Sequence, residues 1–275
     1  MNNLAIRSIT GLLFGTVVIG SILCGPYTLI ATFSTFMLLG LIEFYRLFKD
    51  QSSLKISKEI GVFIGAFIFT ILVGISMGIL PILCISFIFP LFFTLVLVEL
   101  WKKEVNPLVN IALLVFGIIY VVLPFYLAID LSIGNTSYMP KVIGMFLLIW
   151  TNDTFAYLTG RLIGKTKLFE RISPNKTWEG TIGGALFTIL FAYIIGQYIN
   201  EGETFFWMIS AAIIIPGAIF GDLLESLFKR SLNLKDSGNI LPGHGGILDR
   251  FDAALFTIPF FYCWNIVYIL LREIT

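Results

Sequence analysis

The chain has 275 residues, a formal net charge of +1, 57% of its residues in the hydrophobic set and only 13% charged, with a mean hydropathy of +0.94. Soluble domains carry roughly 25% charged side chains, so this composition excludes an ordinary soluble protein, and near-neutrality gives no ground for a nucleic-acid or acidic partner. Cys24, Cys84 and Cys263 lie far apart in apolar runs. That spacing speaks against a disulfide framework or a Cys-based metal site and predicts small buried hydrophobes instead.

A bilayer core of about 30 Å takes roughly 20 apolar residues per helix. Nine segments meet that requirement, at 8–25, 27–47, 60–79, 82–100, 107–129, 141–160, 178–199, 205–224 and 253–271. The first has the look of a signal peptide, but no small-x-small cleavage pattern closes it and a second apolar run follows at once, so it is read as a span. The expected fold is an all-α polytopic membrane protein with about nine transmembrane helices. It forms a single membrane domain over 1–275, with N-terminal spans in 1–140 and catalytic helices and loops in 141–275.

Basic residues set the expected orientation. With the N-terminus cytoplasmic, sixteen of the eighteen Lys and Arg fall on the cytoplasmic side, leaving Lys141 and Arg272 outside. The polar loops 161–177 and 225–252 then share the cytoplasmic face. A bacterial inner membrane is the expected location, on the ground that no long polar extension precedes the first span.

The sixth span carries Asp153 and Tyr157 within its apolar run. An acid inside a span faces a cavity or a partner, which makes Asp153 a site candidate. The following loop is rich in Lys and Arg, an arrangement that anionic lipid alone can explain. Ser173, Lys176, Thr177 and Glu179 differ, because they gather where the seventh span opens, at the positive end of its dipole. They read as a phosphate-binding corner.

The densest charge lies between Gly221 and Asp252. Asp222, Glu225 and Lys229 follow i, i+3, i+7 spacing and share one face of a continuing helix. Asp249, Arg250 and Asp252 open the ninth span. Carboxylates brought together there repel unless a cation neutralises them, and hard oxygen donors suit Mg²⁺ that keeps waters and phosphates as further ligands. An Asp-Arg pair that merely closes the loop is the competing explanation.

Between these acids runs Pro242-Gly243-His244-Gly245-Gly246. Its glycines let the backbone approach a ligand, and Lys229, Arg230, Lys235 and Arg250 flank it, so it reads as an anion cradle. His244 is read as a hydrogen-bond donor to phosphate or as a structural residue. Glu43, Glu99 and Asp130 sit near other span ends, and nothing in the sequence ties them to this cluster.

The run 226–252, SLFKRSLNLKDSGNILPGHGGILDRFD, resembles the signature of the phosphatidate cytidylyltransferases, the CDP-diacylglycerol synthases. Ser226, Lys229-Arg230, Lys235-Asp236, His244-Gly245-Gly246 and Asp249-Arg250-x-Asp252 stand at matching spacing. The upstream Asp153-x-x-Ala156-Tyr157-x-x-Gly160-Arg161-x-x-Gly164-Lys165, followed by Ser173-Pro174-x-Lys176-Thr177-x-Glu179-Gly180, is also similar. About the last 125 residues carry the likeness, and the first 140 match only as apolar spans.

The resemblance implies a Mg²⁺-dependent transfer from CTP to phosphatidic acid that yields CDP-diacylglycerol and pyrophosphate. Its metal-holding aspartates match Asp222 and Asp249, and a second cation is left open. Catalytic roles are expected for Asp222, Asp249, Lys229, Arg230, Lys235, Asp236, Arg250 and Asp252. Substrate contacts are expected for Asp153, Tyr157, Ser173, Lys176, Thr177, Glu179, Ser226 and Gly243 to Gly246, His244 included. The expected partners are CTP, phosphatidic acid and membrane lipid, with no nucleic acid, and a homodimer is left open. The residues alone leave two other readings, a CTP-dependent lipid kinase and an ion-coupled transporter.

Overall fold

The computed structural model describes residues 3–49, 54–102, 105–133, 140–234, 237–238 and 245–274, with side chains from residue 10 onward. Lys235, Asp236, Gly243 and His244 lie outside the described residues. Among those described, eight helical segments are long and apolar enough to cross a membrane. The first predicted span corresponds to the apolar stretch Thr10–Leu23 within helix α1 (Asn3–Leu23). The chain is an all-α polytopic membrane protein, and it forms two compact units.

Unit one comprises Met1–Ile133 and Asp236–Arg250. It contains α1, α2 (Pro26–Arg46), α3 (Lys58–Ser76), α4 (Ile88–Lys102), α5 (Pro107–Gly117) and α6 (Leu123–Asp130). A π-helical turn at Ile118–Val122 joins α5 to α6, and Pro124 is accommodated in the first turn of α6. The core of this unit is a seam of Leu29, Phe33, Met37, Leu41 and Phe44 from α2 against Val121, Val122 and Phe125, all at most 1% exposed. Small residues set the spacing. A Cβ on Gly65 would lie 2.5 Å from Leu41, and one on Gly117 would lie 2.6 Å from Tyr45, so these glycines let the helices approach. Tyr45 donates its hydroxyl to the Leu114 carbonyl at 2.7 Å, which satisfies a buried phenol.

Two acids at helix ends in this unit, Glu99 and Asp130, are engaged in polar contacts. Glu99, 2% exposed, accepts hydrogen bonds from Asn110 at 3.0 Å and Ser57 at 3.3 Å, with Lys102 at 3.8 Å. Asp130 pairs with the Ser76 hydroxyl. These contacts tie α3 to α4, α5 and α6 by polar bonds where apolar packing alone would allow sliding.

Unit two comprises Gly134–Lys235 and Phe251–Thr275. Here α7 (Lys141–Ile163) leads into a hairpin of β1 (Lys167–Phe169) and β2 (Ser173–Thr177), then α8 (Trp178–Ile194), which ends in a π-helical turn at Ile195–Ile199. After a short turn come α9 (Thr204–Ser231) and α10 (Leu248–Ile274), whose first residues belong to unit one. The hairpin is antiparallel, pairing Lys167 with Thr177 and Phe169 with Ser173, with an irregularity between. Sequence reasoning places a loop there, because strands of three and five residues are too short to show an alternation.

Helices α7 and α8 pack closely because α8 opens with small residues. A Cβ on Gly184 would lie 2.7 Å from the Asn152 carbonyl, and one on Gly180 would lie 2.6 Å from the Ala156 carbonyl. Phe155 and Phe187 stack at 3.8 Å beside that contact. Gly217 and Gly221 repeat the device between α9 and α10, in GxxxG spacing. Toward the start of α7, Lys141 is buried with its ammonium on Asn265 at 2.9 Å and 4.4 Å from the Phe206 ring centre. The expectation of buried cysteines is corrected, since Cys24 and Cys263 are exposed and Cys84 is partly so. In apolar helices an exposed thiol meets hydrocarbon at little cost, so burial is not required of it.

Candidate active site

In unit two the acids come from three helices. Asp153 lies on α7, Asp222 on α9 and Asp252 near the start of α10, close enough for their charges to interact. The close approach of α9 to α10 at this level depends on Gly221, where a Cβ would lie 2.6 Å from the Asp252 carbonyl oxygen and 2.8 Å from Ala253 Cα. Asp252 accepts the backbone N–H of Ala253 at 2.6 Å.

Lys176 enters this group from β2. Its ammonium lies 2.6 Å from Asp222 Oδ2, while Asp222 Oδ1 accepts the Ser226 hydroxyl at 3.2 Å. One turn further along α9, Glu225 is 3% exposed and pairs with Lys229 at 2.5 Å. Sequence reasoning ended the eighth span at residue 224, whereas α9 stays helical to Ser231, so Asp222, Glu225 and Lys229 do share a continuous face. The i, i+4 pairing of acid and lysine supports that last stretch of helix. Arg230 is exposed and its guanidinium reaches the Leu234 carbonyl at 3.4 Å.

The corner before α8 is built from backbone satisfaction. Thr177 caps α8 by accepting the Gly180 N–H at 3.2 Å. Glu179 folds back and accepts the N–H groups of Lys165 and Thr166, each at 3.1 Å. The resemblance also places both side chains at substrate; here Thr177 caps α8 and Glu179 closes the end of the hairpin. Ser173 is half-buried on β2, and Tyr157 is 64% exposed with its hydroxyl 3.5 Å from Arg161.

In unit one, the end of the glycine-rich run is held around Asp249. Its Oδ2 accepts three hydrogen bonds, from Ser237 N at 3.0 Å, Ser237 Oγ at 2.9 Å and Gly246 N at 2.8 Å. Gly245 has φ +77°, and a Cβ there would lie 2.4 Å from the same oxygen, so only glycine fits. Arg250 is half-buried beside it. Beside Gly246 stands Glu43 of α2, 1% exposed, whose Oε2 accepts the Leu248 N–H at 3.0 Å. The sequence reading that nothing ties Glu43 to the signature is therefore corrected. No local pattern signals that contact, because 205 residues separate the partners.

Among the described residues, no three Asp, Glu, His or Cys side chains converge closely enough to hold a metal ion unaided. A Mg²⁺ that binds through one or two carboxylates and completes its shell with water and phosphate needs no such trio. The carboxylate oxygens of Asp222 and Asp249 are hard donors of the type that ion selects, so the donor chemistry at both positions fits.

Residues 5–268 match the model of a family described as the cytidylyltransferase family. A Rickettsia prowazekii (strain Madrid E) protein named phosphatidate cytidylyltransferase is 35% identical over 203 residues, covering 70% of this chain and 87% of that protein. Proteins of the same name from Staphylococcus epidermidis (strain ATCC 12228 / FDA PCI 1200) and Staphylococcus aureus (strain COL) are 48% and 49% identical over 116 residues. Those two matches cover 42% of this chain and 44% of each relative, so here the chain spans under half the relatives' length.

Proposed function

The chain belongs to the cytidylyltransferase family, a family of nucleotidyltransferases, and from that premise we propose that it is a phosphatidate cytidylyltransferase. It transfers the cytidylyl group of CTP to phosphatidic acid, forming CDP-diacylglycerol and pyrophosphate for phospholipid biosynthesis. The observation that carries this reading is the similarity to the Rickettsia protein of that name over 87% of its length. The pairing of Lys176 with Asp222 supports it, by gathering both signs of charge where phosphates would be handled.

The lipid's phosphate monoester has its second pKa near about 6, so near neutral pH it is already largely the dianion. One of its oxygens attacks the α-phosphorus of CTP and a new P–O bond forms. The bond from the α-phosphorus to the bridging oxygen breaks, and the electron pair leaves with pyrophosphate. No general base is needed. What the protein supplies is alignment and neutralisation of charge that shifts onto the leaving group.

Lys176, Lys229, Arg230 and Arg250 are the cations for that work, joined in the signature by Lys235. By resemblance, Asp222 and Asp249 would hold Mg²⁺, which when bound screens the negative charge of the reacting phosphates. Asp153 and Tyr157, on an apolar helix, are assigned to the lipid side. The acyl chains stay in the bilayer at roughly 0.8 kcal/mol per CH₂. Orientation follows the basic residues, with the N-terminus and the site on the cytoplasmic face of a bacterial inner membrane.

Purified protein in detergent, given phosphatidic acid, Mg²⁺ and CTP labelled in the cytidine, tests the reading. Label in the lipid fraction with release of pyrophosphate is the expected result. Transfer only of a γ-phosphate label would make the enzyme a lipid kinase, and no transfer at all would favour transport.

A further inference from the structure

Glu43 has no part in the signature and lies on the second predicted span, yet it is among the most buried acids in the protein. Its Oε2 accepts the N–H of Leu248, the first residue of α10 and one of the orphan donors of that helix. Its Oε1 has no hydrogen-bond partner among the described residues. The segment it faces is shaped to receive it. A Cβ on Gly238 would lie 2.6 Å from Oε1, and one on Gly246 would lie 2.4 Å from Oε2 and 2.6 Å from Ser237 Oγ.

Two acids thus hold the residues at the start of α10. Asp249 takes the N–H groups of Ser237 and Gly246, and Glu43 takes that of Leu248, two residues after Gly246. We propose that Glu43 is a positioning residue whose buried carboxyl group braces Gly246, Leu248 and the start of α10, and so fixes the placement of Asp249. The inference rests on the reading of Asp249 as a working residue of the cytidylyl transfer. Loss of this bond would leave the Leu248 N–H buried and unpaired. Small changes in placement at a reacting centre lower turnover more than they lower substrate affinity.

The test compares Glu43→Ala, Glu43→Gln and Asp249→Asn, with Glu59→Gln on the exposed start of α3 as the control. Amide exchange by mass spectrometry reads the brace without turnover. In Glu43→Ala, exchange across 245–250 should rise by about tenfold or more, while peptides of α7 and α8 keep wild-type rates. The kcat should fall at least about tenfold with KM for CTP changed less than about threefold. Glu43→Gln keeps an oxygen for Leu248 and should recover at least about a third of both properties. Wild-type exchange and kcat in Glu43→Ala, or a Gln variant as impaired as Ala, overturns the brace. If Asp249→Asn itself turns over normally, the reading of Asp249 fails first; if it is inactive while Glu43→Ala is normal, only the inference about Glu43 fails.

Discussion

The Lys176 ammonium and the Asp222 carboxylate are held 2.6 Å apart, joining the hairpin before α8 to the middle of α9. Their side chains are 25% and 38% exposed, so water screens the pair and its worth to stability is small. A lysine placed this way is better suited to a phosphate than to holding the fold.

Lys176→Met is therefore expected to lower kcat/KM by about a hundredfold, in the range of losing one charge-stabilising donor in the transition state. The thermal midpoint should move little. Lys176→Arg keeps the charge but not the reach of a flexible ammonium and should stay well below wild type. Steady-state kinetics with a thermal scan of each variant checks both halves, and a Met variant with wild-type kinetics would remove Lys176 from the site.

Asp249→Asn should reduce turnover to under about 1% while the protein still purifies as a folded species in detergent. The Asn side chain still has an oxygen to accept Gly246 N or Ser237 N, so the turn survives in part. What is lost is the charge. Ser237→Ala removes one of the three donors and leaves the carboxylate, so a partial loss of about threefold to tenfold is expected. Equal activity in wild type and Asp249→Asn would set the resemblance against the chemistry.

The apolar spans were legible because a run of about 20 hydrocarbon side chains has few alternatives in a membrane protein. The acids of α9 were legible as a face, since i, i+3, i+7 spacing is local. The partner of Asp222 was not, because the sequence marks Lys176 only by its position at a helix start and nothing in the order of residues says which acid it meets. Glu43 was read as an ordinary end-of-span acid for the same reason. Its partner lies 205 residues away, and only the folded chain brings a glycine-lined segment over it.

Thr177 separates a structural role from a substrate contact. Its hydroxyl oxygen accepts the Gly180 N–H at 3.2 Å and the residue is 7% exposed. Thr177→Val keeps the shape and removes the cap, which costs about 1 kcal/mol. The expected result is a thermal midpoint lowered by about 2–4 °C, with KM for CTP within about twofold of wild type. A large rise in KM with an unchanged midpoint would instead place Thr177 at the substrate.

Glycine substitutions test whether helix contact or helix propensity decides. In an exposed helix, Gly→Ala gains about 0.5–1 kcal/mol. At Gly20 of α1 a Cβ would meet nothing within 4 Å, so Gly20→Ala should be neutral or slightly stabilising. At Gly221 the Cβ would lie 2.6 Å from the Asp252 carbonyl oxygen and 2.8 Å from Ala253 Cα, both backbone atoms that no rotamer change can move. Overpacking of this sort costs about 1–3 kcal/mol, more than the propensity gain, and relief requires α9 and α10 to separate. That separation pulls Asp222 away from Asp252, so Gly221→Ala should lower activity by at least about tenfold as well as the thermal midpoint. Both variants would be made in the same background and scanned in the same detergent. If Gly221→Ala were as stable and active as Gly20→Ala, the close α9–α10 contact would not be what sets the acids of this site.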